Sequence, residues 1–161
     1  MELIDLSAVY DLGSRLFTAE DWPTLYRAWD DHDLTQLFAS SSETCLVAEN
    51  EASGRIVGFA LGSMMEKPRS AWTYGWIEWL AVAPRYQRKG IAARLIRQLT
   101  NLFIERDARM VLVDTDEDNT KALAFFRKVG FGNELKHVYL SWNLDDHPDV
   151  IQKREELDDE A

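Results

Sequence analysis

One stretch of the chain, residues 80–106, limits the possible folds more than any other. It begins as an apolar strand-like run, is broken by Pro84, and continues from Arg88 as a helical pattern. The apolar positions of that pattern recur at helical spacing: Ile91, Leu95, Leu99, Leu102 and Phe103. A strand that passes through a short loop into an amphipathic helix is half of a strand-helix-strand unit. The stretch therefore predicts an α/β fold.

Shorter patterns on either side predict the other elements of this fold. Strands are predicted at 44–49, 55–64, 72–82 and 110–115, with one or two more at 134–144. Helical spacing covers most of residues 3–42, with a break at Trp22 and Pro23, and returns at 119–129. Strands that form a meander and then alternate with helices indicate a mixed α/β sheet.

Two of these strands carry details that bear on packing. In the second predicted strand three small residues share one face, which lets another element approach closely: Gly58, Ala60 and Gly62. In the third predicted strand, alternation places Trp72, Tyr74, Trp76, Glu78, Leu80 and Val82 on one face. The same alternation places Trp79 on the opposite face.

No linker, repeat or low-complexity segment divides the chain, so we expect a single domain over residues 1–145. Residues 146–161 are expected to form a solvated acidic tail. The acidic side chains of that tail lie close to its end: Glu155, Glu156, Asp158, Asp159 and Glu160.

Charge and composition exclude several classes of function. The formal charge of −10 disfavours nucleic acid as a partner and would attract cations instead. No apolar run is long enough to span a membrane and no secretory leader is recognisable, so we predict a cytoplasmic protein without a membrane partner. Cys45 is the only cysteine, and the three histidines show no metal-ligand spacing: His32, His137 and His147. We therefore predict no metal, and we expect Cys45 to be a small buried residue in a strand.

The loop between the third strand and the following helix has the outline of an anion site. The first N–H groups of a helix lack acceptors, and the helix dipole favours negative charge there. Gly90 and Ala92 would keep the approach open, while Arg88 and Lys89 add positive charge. The spacing alone leaves a second interpretation open, in which Gly90 only packs the helix against a strand.

Two motifs in this half of the chain resemble those of the GCN5-related N-acetyltransferases. Residues 87–92, Gln-Arg-Lys-Gly-Ile-Ala, look like the Gln/Arg-x-x-Gly-x-Gly/Ala signature of that family, which also follows a strand and a proline loop. Residues 119–131 resemble the family's Asn-x-x-Ala-x-x-Phe-Tyr-x-Lys-x-Gly-Phe helix. The resemblance implies the family's fold, with a mostly antiparallel central sheet of six or seven strands flanked by helices.

The resemblance also implies acetyl-coenzyme A as co-substrate and assigns residues to it. The loop and helix start would hold the pyrophosphate of coenzyme A: Arg88, Lys89, Gly90, Ile91, Ala92 and Ala93. Gln87 would also belong to the cofactor site. The preceding strand would pair with the pantetheine arm through the backbone of Leu80, Ala81 and Val82. Asn119 and Phe126 would contact the cofactor from the other side. A cleft is expected where the strand ending at Val82 parts from strand 110–115, because the arm must enter there.

Acetyl transfer to an amine needs a base, since an amine with a pKa near about 10.4 is mostly protonated at neutral pH. Glu78 is the first candidate because it is the only acidic residue of the third predicted strand. Asp114, near the end of the next strand, is the second. Either carboxylate could instead form a salt bridge or lie hydrogen-bonded at the surface.

One position departs from the family pattern. Phe126 stands where many relatives have a tyrosine that protonates the departing thiolate, and a phenyl ring cannot donate a proton. Tyr74, Tyr139 or solvent would have to replace it. We therefore keep two hypotheses: an N-acetyltransferase acting on a primary amine of a small molecule, peptide or protein, and a non-catalytic coenzyme A-binding regulatory module. The acceptor region is expected to favour a cation because it includes Asp30, Asp31 and Asp33, and a homodimer is possible.

Overall fold

The computed structural model describes residues 1–18, 28–66, 72–138, 140 and 142–159. They fall into two compact units, Met1–Gly130 and Phe131–Ala161, which are described separately. Trp22 and Pro23, where the sequence predicted a break, lie outside the described residues, as does Tyr139.

The first unit is a mixed sheet with helices. Its helices are α1 (Leu6–Leu16), α2 (Asp31–Ser41), α3 (Ile91–Glu105) and α4 (Thr120–Lys128). Its strands are β1 (Cys45–Asn50), β2 (Arg55–Glu66), β3 (Thr73–Val82) and β4 (Ala108–Val113). They pair in the order β1-β2-β3-β4, antiparallel except for the parallel pair β3 and β4, which α3 connects. The predicted mixed, mostly antiparallel α/β sheet is confirmed.

The predicted count of six or seven strands is wrong for the described residues, which form four. The difference lies at 134–144, where no described residue belongs to a strand. Apolar side chains of this segment are exposed, including Leu135 at 82%, Val138 at 84% and Leu140 at 92%. Alternation marks a segment that can form a strand, but a strand also needs a partner backbone to pair with, and the local sequence does not specify one.

Helix α3 packs closely on one face of the sheet because that face carries glycine. A Cβ atom added to Gly62 would lie 2.7 Å from Cζ of Phe103, and one added to Gly75 would collide with the same ring. Phe103 and Leu99 of α3 are fully buried there. The element that approaches closely on the face of Gly58, Ala60 and Gly62, as predicted, is thus α3.

Strand β3 contains a bulge at Glu78. Leu61 of β2 pairs with Trp79 and the next residue, Gly62, pairs with Ile77, so Glu78 is an extra residue that shifts the register of the two strands. The strict alternation predicted for this strand is therefore wrong beyond Glu78. Gly75 faces α3, and so does Val82, whose Cγ2 lies near the site of a Gly58 Cβ. Trp79 consequently lies on the same face as Trp76, not on the opposite one.

The other face of the sheet packs against α1 and α2. Its core is a cluster of buried side chains: Val9, Leu12, Leu34, Cys45, Phe59, Leu61 and Ala81. Cys45 begins β1 and is 1% exposed, and burial raises the pKa of its thiol to about 11. The expectation of a small buried residue in a strand is confirmed for Cys45.

The second unit contains one helix, α5 (Pro148–Asp159), among its described residues. A 3₁₀ turn at Leu144–Asp146 precedes it, and the Asn143 side chain accepts a hydrogen bond from the Asp145 N–H at 3.2 Å. Part of the predicted acidic tail is thus helical, while the division at residue 145 stays a prediction. None of the helices in the described residues combines the length and the apolar character needed to cross a bilayer.

Candidate active site

The cleft begins where β3 and β4 part. Their parallel pairing runs from Thr73 and Ala108 to Ile77 and Val113, and then β4 ends while β3 continues to Val82. Among the described strands, the second half of β3 therefore pairs with β2 and no longer with β4. A strand edge of this kind offers N–H and C=O groups to an extended ligand. The opening predicted between these two strands is present.

A cavity of about 1260 Å³ occupies this opening. It reaches from the residues around the bulge to the start of α3 and along α4. Predicted site residues line it as follows: Glu78, Leu80, Val82, Gln87, Arg88, Gly90, Ile91, Ala92, Ala93, Asp114, Asn119 and Phe126. Two predicted residues are not in the lining: Lys89, and Ala81, which is 6% exposed and belongs to the core cluster.

The α3 end of the cleft is built from backbone. Arg88 and Gly90 both have left-handed φ angles, 61° and 81°, a conformation that turns successive N–H groups to one side. The first α3 bond runs from the Arg94 N–H to the Gly90 carbonyl at 3.0 Å, so the N–H groups of residues 91–93 precede the helical ladder. No atom lies within 4 Å of a Cβ added to Gly90. This end has the open space and the N–H donors that a diphosphate requires.

Gln87 lines the cleft and also fastens its loop. Its side-chain amide donates to the Val82 carbonyl at 2.9 Å. The loop that begins at the 3₁₀ turn Pro84–Tyr86 is thereby fastened to the end of β3. Gln87 thus connects the strand edge with the helix start, and its side chain still lines the cleft.

Glu78 lies at the bulge, where its side chain faces away from α3. Its Oε1 accepts a hydrogen bond from Oγ of Ser63 at 2.7 Å, and Ser63 is the residue after Gly62 on β2. A bulge re-aims a side chain and is common beside active sites. Asp114 follows the last residue of β4 and lines the same cavity. The structure thus brings both candidate bases into one cleft.

The start and the inward face of α4 form another side of the cleft. Asn119 is the N-cap of α4: its Oδ1 accepts from the Ala122 N–H at 3.1 Å, and its Nδ2 donates to Thr115 Oγ1 at 3.1 Å. Phe126 is 9% exposed, and its ring meets that of Phe125 edge-on at 5.3 Å. Asn119 therefore fixes the helix start, and Phe126 supplies an apolar surface.

The third region of the cleft is aromatic, and sequence reasoning did not assign it. Phe17, Trp29 and Trp79 line the cavity although they lie far apart in the chain. The basic residues Lys121 and Lys128 were missed too. For Lys128, the family-like α4 pattern contained the signal. Phe17 and Trp29 have no local signal, because they flank the C-terminal end of α1 and the start of α2.

The acidic residues expected to shape the acceptor region serve α2 instead. Asp30 is the N-cap of α2 and accepts from the Asp33 N–H at 2.7 Å, while Asp31 and Asp33 lie in its first turn. None of the three lines the cleft. The carboxylates that do line it are Glu78, Asp114 and Asp116. Among the described residues there is no group of three or more histidine, cysteine or acidic side chains that could hold a metal.

The family of this chain is identified by a match to a family model. The model of the acetyltransferase (GNAT) family matches residues 14–131. The chain belongs to this family. The matched range includes every strand of the sheet, the start of α3 and the whole of α4, and therefore the complete cleft.

Individual relatives of this GNAT chain differ in length. It is 26% identical over 127 residues to N-alpha-acetyltransferase 30 of Xenopus laevis. This match covers 79% of this chain and 38% of the relative. The chain thus spans well under half of that curated relative. A 57-residue match to N-alpha-acetyltransferase 30 of Schizosaccharomyces pombe is 32% identical and covers 35% of this chain and 38% of the relative.

Solved GNAT structures match over nearly their whole length. An acetyltransferase of Trypanosoma brucei is 25% identical with a TM-score of 0.66, covering 88% of this chain and 96% of that one. An aminoglycoside acetyltransferase from an uncultured soil metagenomic sample, in complex with sisomicin, is 26% identical with a TM-score of 0.67. That match covers 89% of this chain and 93% of the other.

Proposed function

We propose that the protein transfers the acetyl group of acetyl-coenzyme A to a primary amine of a small molecule, peptide or protein. The amine attacks directly while both substrates are bound. One observation carries the proposal: a carboxylate, Glu78, lines the same cleft as the backbone N–H groups at the start of α3, where β3 and β4 part. Membership of the GNAT family supports it.

The residues of the cleft fit coenzyme A. The N–H groups at residues 91–93 would hold the diphosphate, with Arg88 adding charge and Gly90 leaving room. The backbone of Leu80 and Val82 would pair with the amide-bearing arm. Asn119 and Phe126 would border the arm from α4. When bound, acetyl-coenzyme A supplies an activated acyl group as a thioester.

Glu78 would act as the general base that takes a proton from the amine, directly or through a water. The hydrogen bond from Ser63 Oγ at 2.7 Å holds one carboxylate oxygen, Oε1, in place. Asp114 is the second candidate for the role, because it borders the same cleft.

No tyrosine takes the place of Phe126 as proton donor in this proposal. Tyr74 is not among the residues that line the cleft, and Tyr139 lies outside the described residues. We infer that the departing thiolate takes its proton from solvent, since a thiol pKa near about 8.5 makes it a fair leaving group.

The acceptor is proposed to be cationic, in keeping with the net charge of −10. A cytoplasmic location and a homodimer remain proposals.

Thiol release tests the proposal. Purified protein is mixed with acetyl-coenzyme A and a panel of primary amines, and free thiol is followed with a chromogenic reagent. Cys45 contributes little background because it is buried and its raised thiol pKa keeps it protonated. Amine-dependent release supports the enzyme. Tight coenzyme A binding with no release for any amine would instead support a non-catalytic regulatory module, the alternative that Phe126 favours.

A further inference from the structure

Three aromatic rings meet at the bulge end of the cleft, and we name them the aromatic wall: Phe17, Trp29 and Trp79. Ring centroids lie 4.8 Å apart for Phe17 and Trp79, 5.1 Å for Trp29 and Trp79, and 5.4 Å for Phe17 and Trp29. All three side chains are half-buried and line the cavity. The wall is therefore packed on one side and open to the cleft on the other.

The protein fixes the wall from behind. Phe59, which is fully buried, stacks on Trp29 at 5.3 Å. The indole N–H of Trp29 donates to the Tyr10 carbonyl at 3.1 Å, so its polar atom is satisfied within the protein. The same indole lies against Gly13 of α1, where a Cβ atom would collide with it. The rings are thus held in place, and the wall presents their apolar faces to the cleft.

The wall is next to the reacting groups. Trp79 follows Glu78 directly in β3, and the bulge puts both on the face of the sheet that packs against α1 and α2. When the amine nitrogen of an acceptor reaches Glu78, the acceptor atoms a few bonds from that nitrogen therefore lie beside aromatic rings. Among the described residues, three carboxylates border the cleft: Glu78, Asp114 and Asp116.

We propose that the acceptor is a primary amine with an aromatic or large apolar group a few bonds away, and that this group packs on the aromatic wall. The inference rests on the proposed function. The ring contributes apolar area and favourable stacking geometry, while Glu78 receives the ammonium end. The same chemistry is found in arylalkylamines and in peptides that begin with a bulky apolar residue.

Matched amines test the preference. Phenethylamine and ethylamine have the same reacting group and differ only by the ring. The ring should raise kcat/KM by about tenfold or more, the effect typical of filling an apolar subsite. A peptide with an N-terminal phenylalanine, compared with the same peptide starting in serine, separates the peptide source from the small amine. A ratio near one in both pairs, or a higher kcat/KM for sisomicin than for phenethylamine, overturns the proposal.

A variant pair locates the effect. Phe17→Leu removes a ring from the wall and keeps an apolar side chain, so the ratio of phenethylamine to ethylamine should fall by about threefold to tenfold. Phe38→Leu is the matched control, because Phe38 is also half-buried against the core cluster but does not line the cleft. An unchanged ratio in folded Phe17→Leu protein contradicts the assignment.

Failure of the aromatic-wall proposal can be distinguished from failure of the proposed function. If no amine releases thiol, the transferase fails, and titration of tryptophan fluorescence with both amines in the presence of coenzyme A still decides the binding question. Quenching by phenethylamine at lower concentration than by ethylamine supports the wall as a binding site. Equal responses to the two amines overturn it.

Discussion

The two ends of the cleft are built from different groups. The α3 end presents backbone N–H groups from residues 91–93 and a left-handed Gly90. The bulge end presents side chains that come from before α2, from β2 and from β3, namely Trp29, Ser63 and Glu78. The first kind of site is contiguous in the chain and can be read as a motif. The second exists only after the elements have packed, so no local pattern reveals it.

The largest effect is expected at the backbone end. Gly90→Val should reduce coenzyme A affinity by about a hundredfold or more, because a branched side chain would fill space that is now open and cover the N–H groups. Titration calorimetry measures it. A left-handed φ also strains valine by roughly 1–2 kcal/mol, so the control is Gly54→Val, with φ of 63° in the β1–β2 turn. Normal affinity in folded Gly90→Val protein would refute the site.

The next effect concerns Glu78 at the other end. Glu78→Gln keeps the shape and the acceptor for Ser63 but cannot take a proton, so kcat/KM should fall by about 10²-fold to 10⁴-fold at neutral pH. Coenzyme A affinity should change little. The loss should shrink as the pH rises, because neutral amine becomes available without a base.

Asp114→Asn is the comparison variant for that measurement. Rates that stay at wild-type level in Glu78→Gln from about pH 6 to about pH 9, with a loss in Asp114→Asn, would move the role to Asp114. If neither variant loses activity, proton removal falls to solvent.

A smaller effect should follow from charge at the helix start. Ala93 is exposed, lines the cleft and lies in the first turn of α3, where an acidic residue favours the helix. Ala93→Asp should therefore leave Tm unchanged or higher while lowering coenzyme A affinity by about tenfold to a hundredfold through repulsion. Ala93→Asn, of similar size, should change affinity far less. The gap should narrow in high salt, and equal affinities of the two variants would argue against a phosphate at this position.

The smallest effect is expected at Gln87. Gln87→Ala removes the hydrogen bond to the Val82 carbonyl and should lower the free energy of unfolding by about 1 kcal/mol. The loop is then less well held, and we expect KM for acetyl-coenzyme A to rise by about twofold to fivefold. Gln98→Ala, on the exposed face of α3, is the control. If both variants behave alike in KM, Gln87 does not position the loop.

The sequence predicted much of this architecture because its patterns are local. The stripe from Ile91 to Phe103 predicted α3, and the small residues of β2 predicted a close approach, which α3 makes. The same reasoning failed at 134–144, where exposed Val138 and Leu140 alternate as they would in a strand. It also failed after Glu78, at Trp79, because a bulge depends on the register of two strands and not on one strand's composition.

By itself the sequence determined the helix start at Gly90 that we propose as an anion site, since such a start presents the same N–H groups in any fold that accommodates it. It also supplied the family resemblance. Tertiary structure alone decided that Glu78 faces away from α3, that Ser63 holds it, and that Phe17 and Trp29 reach Trp79. The physical reason is that helix dipoles and backbone donors act within a few residues, whereas side-chain contacts between elements depend on strand register and helix packing, which only the folded chain fixes.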